Sequence, residues 1–222
     1  MDLLTTEALP GITVHVFGPS RDKDAIRDME PPPGKSYLQL LESLEAGTGS
    51  APDPFNEDWW LSPQEDSRLD EDECRAIANA GGNLDPAIMV ALEKAVNGTS
   101  LMLLFKIGSS YLLFPGDAQW GTWRTALANP EWRLLLQRAS FYKAGHHGSH
   151  NGTPVEFVEN MQKETCVMIS TKHIKRWPHI PKLELLEALG KHTTKIARSD
   201  QETPSQIFNV EPGVYTEACI PI

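Results

Sequence analysis

Long hydrophobic runs are missing from this sequence of 222 residues. No window approaches the roughly 18–20 consecutive apolar residues that a helix needs to cross a bilayer. The opening stretch, Met1 to Glu7, also lacks the basic region and the small-residue cleavage site of a secretory signal. We therefore expect neither a membrane-spanning segment nor a secretion signal.

Cysteine is scarce, with three residues at widely separated positions: Cys74, Cys166 and Cys219. They form no CxxC pair, and their number and spacing do not suggest a disulfide framework. A reducing compartment is the default for such a chain, so we expect a cytoplasmic location. Cys166 lies in an apolar run and is expected to be buried.

Basic residues are also few, with 20 Lys and Arg against 30 Asp and Glu and a formal net charge of −10. Such a surface argues against nonspecific nucleic-acid binding, because phosphate contacts need clustered Lys and Arg. A nuclease is not excluded, since bound metal ions can supply local positive charge. Hydrophobic residues make up 40% of the chain, as is typical of a globular protein.

Strands and helices alternate in the predicted order of elements, which indicates an α/β fold. Composition divides the chain into three parts: residues 1–46, a loop over 47–72 rich in Gly, Pro, Ser and acidic residues, and residues 73–222. Trp59 and Trp60 interrupt the loop and are expected to dock on the body of the protein or on a partner. Strands are predicted over 12–17, 139–144 and 165–170, and hairpins over 101–114 and 206–217. Helices are predicted over 21–29, 36–46, 70–80, 85–96, 119–129, 131–138, 154–163 and 181–189.

Two short motifs have candidate chemistry, and each follows the end of a predicted strand. In Gly116-Asp117 the glycine permits a tight turn that holds the carboxylate as an oxygen ligand, although an ordinary turn has the same pattern. In the stretch from His146 to His150, three histidines occur within five residues. Imidazole is a common zinc ligand, and the neighbouring glycines allow close backbone approach to an ion. Taken alone, this stretch is equally well explained as a polar surface turn.

Together with Asn97-Gly98-Thr99-Ser100, these motifs resemble the second half of the metallo-β-lactamase fold, and most closely that of ComEC-like hydrolases. The resemblance covers residues 84–190 well and 10–35 loosely. It implies a partial αββα fold, of which the chain forms the C-terminal half, with a mixed sheet flanked by helices. It also implies a divalent metal cofactor, zinc or manganese, that activates water for hydrolysis.

The resemblance further implies roles for individual residues. Asp117 is expected to bridge two metal ions and His147 to bind one of them, which makes both catalytic. His146 is either a third metal ligand or a substrate contact, and which of the two histidines faces the metal stays open. Asn97, Ser100 and Ser149 are expected to shape the site. Two further residues have two interpretations each: Lys143 steadies an anionic substrate or is simply solvated, and His179 is a late ligand or a plain loop histidine.

One departure from the family is large, because the His-x-His-x-Asp-His run that supplies its principal metal site does not occur here. Before His146 the only histidine is His15, which lies inside a predicted strand and is expected to be structural. The missing half is a separate chain, was removed by shortening, or has been lost in a remnant kept for binding. An unpaired sheet edge would in each case favour a protein partner or a homo-oligomer.

The sequence therefore supports two hypotheses of different classes. The first is an incomplete metal-dependent hydrolase module that cleaves a phosphodiester or ester-like bond once completed, with nucleic acid as a possible substrate by analogy of fold alone. The alternative is a catalytically inactive interaction or regulatory subunit that docks through the half-fold.

Overall fold

A seven-stranded mixed sheet organises the residues that the computed structural model describes, which are 2–5, 7–37, 96–172, 178–203 and 206–222. The strands lie side by side in chain order, and the predicted α/β class is confirmed. Neighbouring strands from β1 to β4 pair antiparallel, and neighbouring strands from β4 to β7 pair in parallel. The strands are β1 (Asp2–Leu4), β2 (Ile12–Gly18), β3 (Met102–Ile107), β4 (Ser110–Phe114), β5 (Phe141–Lys143), β6 (Cys166–Ile169) and β7 (Ile196–Arg198). A separate antiparallel hairpin consists of β8 (Asn209–Glu211) and β9 (Tyr215–Glu217).

Helices connect the parallel strands, because such strands can be joined only by crossovers. Two helices lead from β4 to β5, a 3₁₀ turn and one helix lead from β5 to β6, and one helix leads from β6 to β7. None of the helices within the described ranges is long and apolar enough to span a membrane. The helices are α1 (Lys23–Arg27), α2 (Trp120–Ala128), α3 (Pro130–Gln137), α4 (Val155–Asn160) and α5 (Leu183–His192), and the 3₁₀ turn is Gly145–Gly148.

Local sequence signals explain most of these boundaries. The β3–β4 hairpin turns at Gly108, whose φ is +56°, as the Gly-Ser-Ser signal predicts. Between α2 and α3 the side chain of Asn129 accepts hydrogen bonds from the N–H groups of Glu131 and Trp132, with Pro130 in the first turn. The α2–α3 break was therefore predictable from a cap residue and a proline.

Three elements differ from their predictions. Helix α5 begins at Leu183 instead of Pro181, because Lys182 keeps an extended backbone and its N–H donates to the Gly148 carbonyl at 3.0 Å. Strands β1 and β7, of three residues each, were not predicted. The predicted helices over 36–46, 70–80 and 85–96, and the loop over 47–72 with its two tryptophans, lie wholly or almost wholly outside the described residues.

Apolar side chains are buried on both faces of the sheet. On one face, Leu104, Leu113 and Tyr142 join a large cluster that includes Trp123 of α2 and Phe157 of α4. On the other face a smaller cluster contains Phe141, Cys166, Ala197 and Phe208. The predicted burial of Cys166 is confirmed, and this burial raises the pKa of its thiol to about 11.

Candidate functional site

The two sequence motifs lie at the carboxyl ends of neighbouring strands. Asp117 follows β4, the His146–His147 pair follows β5, and Ser170 follows β6. These strands are parallel neighbours, so their carboxyl ends lie at one edge of the sheet. Ligands of open α/β sheets bind at this edge. We therefore take this edge as the candidate site.

A backbone hydrogen bond joins the Gly-Asp motif to the His-His motif. The N–H of His146 donates to the carbonyl oxygen of Gly116 at 3.2 Å. Gly145 permits this approach, since a β-carbon there would lie 2.6 Å from the Gly152 carbonyl oxygen and 3.1 Å from Pro115 Cγ. Two motifs that are well separated in the sequence thus form one cluster of turns.

Both histidines of the pair have a left-handed backbone conformation. The φ and ψ angles are 44° and 49° at His146 and 56° and 18° at His147. This region costs an L-residue other than glycine roughly 1–2 kcal/mol. Such strain persists only where surrounding structure enforces it, and it is concentrated at functional sites. The backbone conformation therefore independently marks this turn as a candidate for function.

Hydrogen bonds hold the turn in this strained conformation. The buried hydroxyl of Tyr142 accepts from the N–H of Gly145 at 3.3 Å and is 2.7 Å from Thr153 Oγ1. Burial raises the pKa of Tyr142 to about 12, so its hydroxyl keeps its proton at neutral pH. On another side of the turn, the carbonyl oxygen of Gly148 accepts from the N–H of Lys182. The turn is anchored both to the end of β5 and to the start of α5.

The His147 ring has one defined tautomer. Its Nδ1 atom lies 2.8 Å from the carbonyl oxygen of Ser170. A carbonyl can only accept, so Nδ1 carries a proton, and in the neutral ring Nε2 keeps its lone pair. Metal-binding histidines commonly donate their second ring N–H to a backbone carbonyl in this way. The side chain is exposed, and Nε2 is the ring atom that can bind a ligand.

The His146 ring is held within its own turn. Its Nδ1 atom lies 3.1 Å from Oδ1 of Asn151, and the same oxygen accepts from the Ser149 hydroxyl at 2.9 Å. The centroids of the His146 and His147 rings are 6.3 Å apart. The hydroxyl of Ser149 therefore supports the turn from inside.

Asp117 and Lys143 lie close enough to interact electrostatically. Lys143 is the last residue of β5 and is half-buried. Burial lowers the pKa of its ammonium group, and the negative charge of Asp117 opposes this shift. The structure therefore brings a cation to the same edge as the carboxylate.

The Asn97–Ser100 turn lies against the Gly-Asp motif. The N–H of Ser100 donates to the carbonyl oxygen of Asn97 at 3.1 Å. A β-carbon at Gly116, whose φ is +57°, would lie 3.6 Å from Ser100 Cβ and 3.3 Å from the Leu101 carbonyl oxygen. The Asn97–Ser100 turn, the Gly116-Asp117 motif and the His146–His147 pair thus meet in one region of the structure.

His150 and His179 lie outside the His146–His147 pair. His150 has its Nε2 atom 2.8 Å from a carboxylate oxygen of Glu30. His179 is exposed in the loop before α5, two residues from Pro181. A β-carbon at Gly148 would lie 2.7 Å from Cβ of that proline, so the loop reaches the turn. The role of His179 as a late ligand stays a prediction.

The described residues do not complete a metal site by themselves. Among them, no three His, Cys, Asp or Glu side chains are grouped closely enough to hold an ion. A catalytic zinc site uses about three protein ligands and one open position. Asp117, His146 and His147 share one edge of the sheet but do not form such a group.

Sequence analysis missed the residues that hold the turn. Asn151 is followed by Gly152, and this Asn-Gly pair directly after three histidines is a turn signal that could have drawn attention to the amide. Tyr142 and Thr153 look like ordinary strand and loop residues in the sequence. Only their position beneath the turn gives them a role.

Comparison with known proteins reveals a distant relationship. The chain is 29% identical over 106 residues to ComE operon protein 3 of Bacillus subtilis (strain 168). No family model and no solved structure matches the chain. The aligned stretch covers 47% of this chain and only 13% of the relative. This chain is thus similar to a small part of a much longer ComE operon protein.

Proposed function

We propose that this chain is the later part of a metal-dependent hydrolase module of the ComEC-like, metallo-β-lactamase-fold type. The completed module cleaves a phosphodiester or another ester-like bond. The observation that best supports this is the strained His146–His147 pair, in which the bond from His147 to Ser170 leaves Nε2 as the ligand-binding atom. The position of Asp117 at the same edge and the similarity to ComE operon protein 3 add support.

In this proposal each residue at the sheet edge has its own task. Asp117 supplies a carboxylate oxygen and His147 supplies Nε2, while His146 supplies a second nitrogen or contacts the substrate. A bound divalent ion, zinc or manganese, supplies Lewis acidity. Lys143, half-buried near Asp117, offsets the negative charge of an anionic substrate.

The remaining ligands come from outside the described residues, which contain no complete donor group. We propose that another chain, a further segment of a longer protein or a second copy supplies them. Nucleic acid is a candidate substrate, because its backbone consists of phosphodiester bonds. With a net charge of −10, the protein would have to bind phosphate at the site itself and not over its whole surface. A cytoplasmic location stays a prediction.

The test uses the chain co-purified with a candidate partner that carries the His-x-His-x-Asp-His run. Hydrolysis of bis(p-nitrophenyl) phosphate is measured with zinc or manganese present. We expect Asp117→Ala and His147→Ala to lower the rate at least about 10- to 100-fold, the range seen even for residues that only support metal ligands. His192→Ala, in the last turn of α5, serves as a matched histidine control and should leave the rate unchanged. Unchanged hydrolysis in both site variants would overturn the proposal.

The competing function is an interaction or regulatory subunit without catalysis. It is favoured by the lack of a three-donor group among the described residues. Elemental mass spectrometry on the chain and on its complex separates the two functions. Stoichiometric zinc or manganese that Asp117→Ala removes supports the hydrolase. A metal-free complex whose assembly survives the His146→Ala/His147→Ala double substitution supports the interaction subunit.

A further inference from the structure

We infer that Asn151 sets the tautomer of His146 and is thereby a positioning residue of the candidate site. With the proton held on Nδ1, Nε2 is the ring atom that His146 presents to a ligand. What this nitrogen binds rests on the proposed function, whereas the tautomer itself can be measured without any activity.

Asn151 directs its amide oxygen towards the side chains of both Ser149 and His146. The Ser149 hydroxyl donates to Asn151 Oδ1 at 2.9 Å, and Nδ1 of His146 lies 3.1 Å from the same oxygen. An amide oxygen accepts only, so the ring nitrogen that faces it must carry the proton. Ser149 and Asn151 are 4% and 8% exposed. Water is therefore a poor substitute for either partner.

The neighbouring ring shows the same arrangement with a different acceptor. At His147 the backbone carbonyl of Ser170 holds a proton on Nδ1, so in the neutral ring Nε2 keeps its lone pair. Both histidines are in the left-handed region, and each has its Nδ1 engaged by an oxygen atom. A local Asn-Gly turn would need only the contact between Ser149 and Asn151. The additional contact to the imidazole is what a positioning role requires.

The chemistry of the acceptor also matters. An amide oxygen accepts the Nδ1 proton and so fixes it there, as a carboxylate oxygen at the same position also would. Outer-shell partners of metal-binding histidines orient the ring and fix its tautomer in this manner, and their loss typically lowers metal affinity about 10- to 100-fold. The expected effect of removing the Asn151 amide is of that size.

The tautomer is tested by ¹⁵N NMR of the histidine ring nitrogens in the full chain at about pH 8, above the ordinary histidine pKa of about 6.5. We expect Nδ1–H for both His146 and His147. Asn151→Leu, which has similar volume and no acceptor, should release His146 from this tautomer while His147 keeps it. Because His147 belongs to the same turn, its unchanged signal shows that the turn remains folded.

Asn151→Asp is the conservative variant, since it keeps an oxygen at the same position. It should retain Nδ1–H at His146 even if Asn151→Leu disturbs the whole turn. An Nε2–H form of His146 in the parent or in Asn151→Asp would overturn the inference. So would an unchanged Nδ1–H form in Asn151→Leu with the His147 signal intact.

Metal titration separates this inference from the proposed function. In the completed complex we expect Asn151→Leu to weaken Zn²⁺ binding about 10- to 100-fold and Asn151→Asp to preserve it. A complex that binds no metal while the tautomer pattern holds would contradict the proposed function alone. Metal binding by a parent protein with Nε2–H at His146 would contradict the inference alone.

Discussion

The Nδ1 atom of His147 lies 2.8 Å from the carbonyl oxygen of Ser170, so a side chain after β5 is bonded to the main chain at the end of β6. The adjacent His146 is bonded to Asn151 inside its own turn. One ring is thus fixed to the sheet and the other to the turn. Because their partners are independent, the two histidines can be perturbed separately.

The left-handed backbone at His147 makes a prediction about stability. His147→Gly and His147→Ala both remove the imidazole, but only glycine adopts a φ of 56° without steric cost. We expect the glycine variant to have a free energy of unfolding about 1 kcal/mol higher than that of the alanine variant. Urea unfolding of the two variants measures the difference. Equal stabilities would show that the backbone relaxes when the ring is removed.

The close approach at Gly145 leads to a second prediction. A methyl group there would meet the Gly152 carbonyl oxygen at 2.6 Å, so we expect Gly145→Ala to lower the free energy of unfolding by about 1–3 kcal/mol. Gly190 lies in α5, and a methyl group at that position would meet no neighbouring element within 4 Å. Gly190→Ala should therefore raise the free energy of unfolding by about 0.5–1 kcal/mol. Thermal or urea unfolding of both variants tests the contrast, and a neutral Gly145→Ala would contradict it.

The buried hydroxyl beneath the turn leads to a third prediction. Tyr142→Phe leaves the N–H of Gly145 and the hydroxyl of Thr153 without their partner. We therefore expect this substitution to lower the free energy of unfolding by about 1–3 kcal/mol. Thr153→Val removes the other hydroxyl of the pair. The double variant should lower the free energy of unfolding by less than the sum of the two single effects, because it no longer leaves one hydroxyl unpaired. Strict additivity in urea unfolding would indicate that the two hydroxyls do not interact.

The buried His15 predicts a dependence of stability on pH. It is 7% exposed, and neither ring nitrogen has a hydrogen-bond partner among the described residues. Burial lowers the pKa of His15, and the positive charge of Lys106 lowers it further. The unfolded chain therefore binds a proton more readily than the folded one near the ordinary histidine pKa of about 6.5. The free energy of unfolding is therefore not reduced by His15 above this ordinary pKa. It falls as the pH drops below that value, because the unfolded chain then takes up a proton at His15 that the folded protein does not.

The variant His15→Leu isolates this effect, since leucine can stay buried beside Phe17 without taking up a proton. Urea unfolding is compared at about pH 7.5 and about pH 5, on either side of the ordinary histidine pKa, for the parent and the variant. We expect the loss of stability between these two values to be smaller in the variant. An equal loss in both proteins would assign the pH dependence to other groups.

Local patterns in the sequence were sufficient to predict much of the fold. The apolar runs on either side of Gly108 predicted the β3–β4 hairpin, and Asn129 with Pro130 marked the break between α2 and α3. These signals act over a few residues, so the sequence carries them without reference to distant parts of the chain. The Gly116-Asp117 and His146–Ser149 motifs are also local, but in the sequence only the resemblance to ComEC-like hydrolases linked them to each other.

The sequence by itself determined the α/β class, most element positions and the residues that could form a site. Only the tertiary structure decided which atoms the histidine rings contact, because the Ser170 carbonyl that bonds His147 lies just after another strand, β6. The Asn151 contact to His146 likewise depends on the left-handed turn. The tertiary structure also decided that the described donors form no three-ligand group. Such geometry depends on contacts between separate segments, which spacing along the chain does not encode.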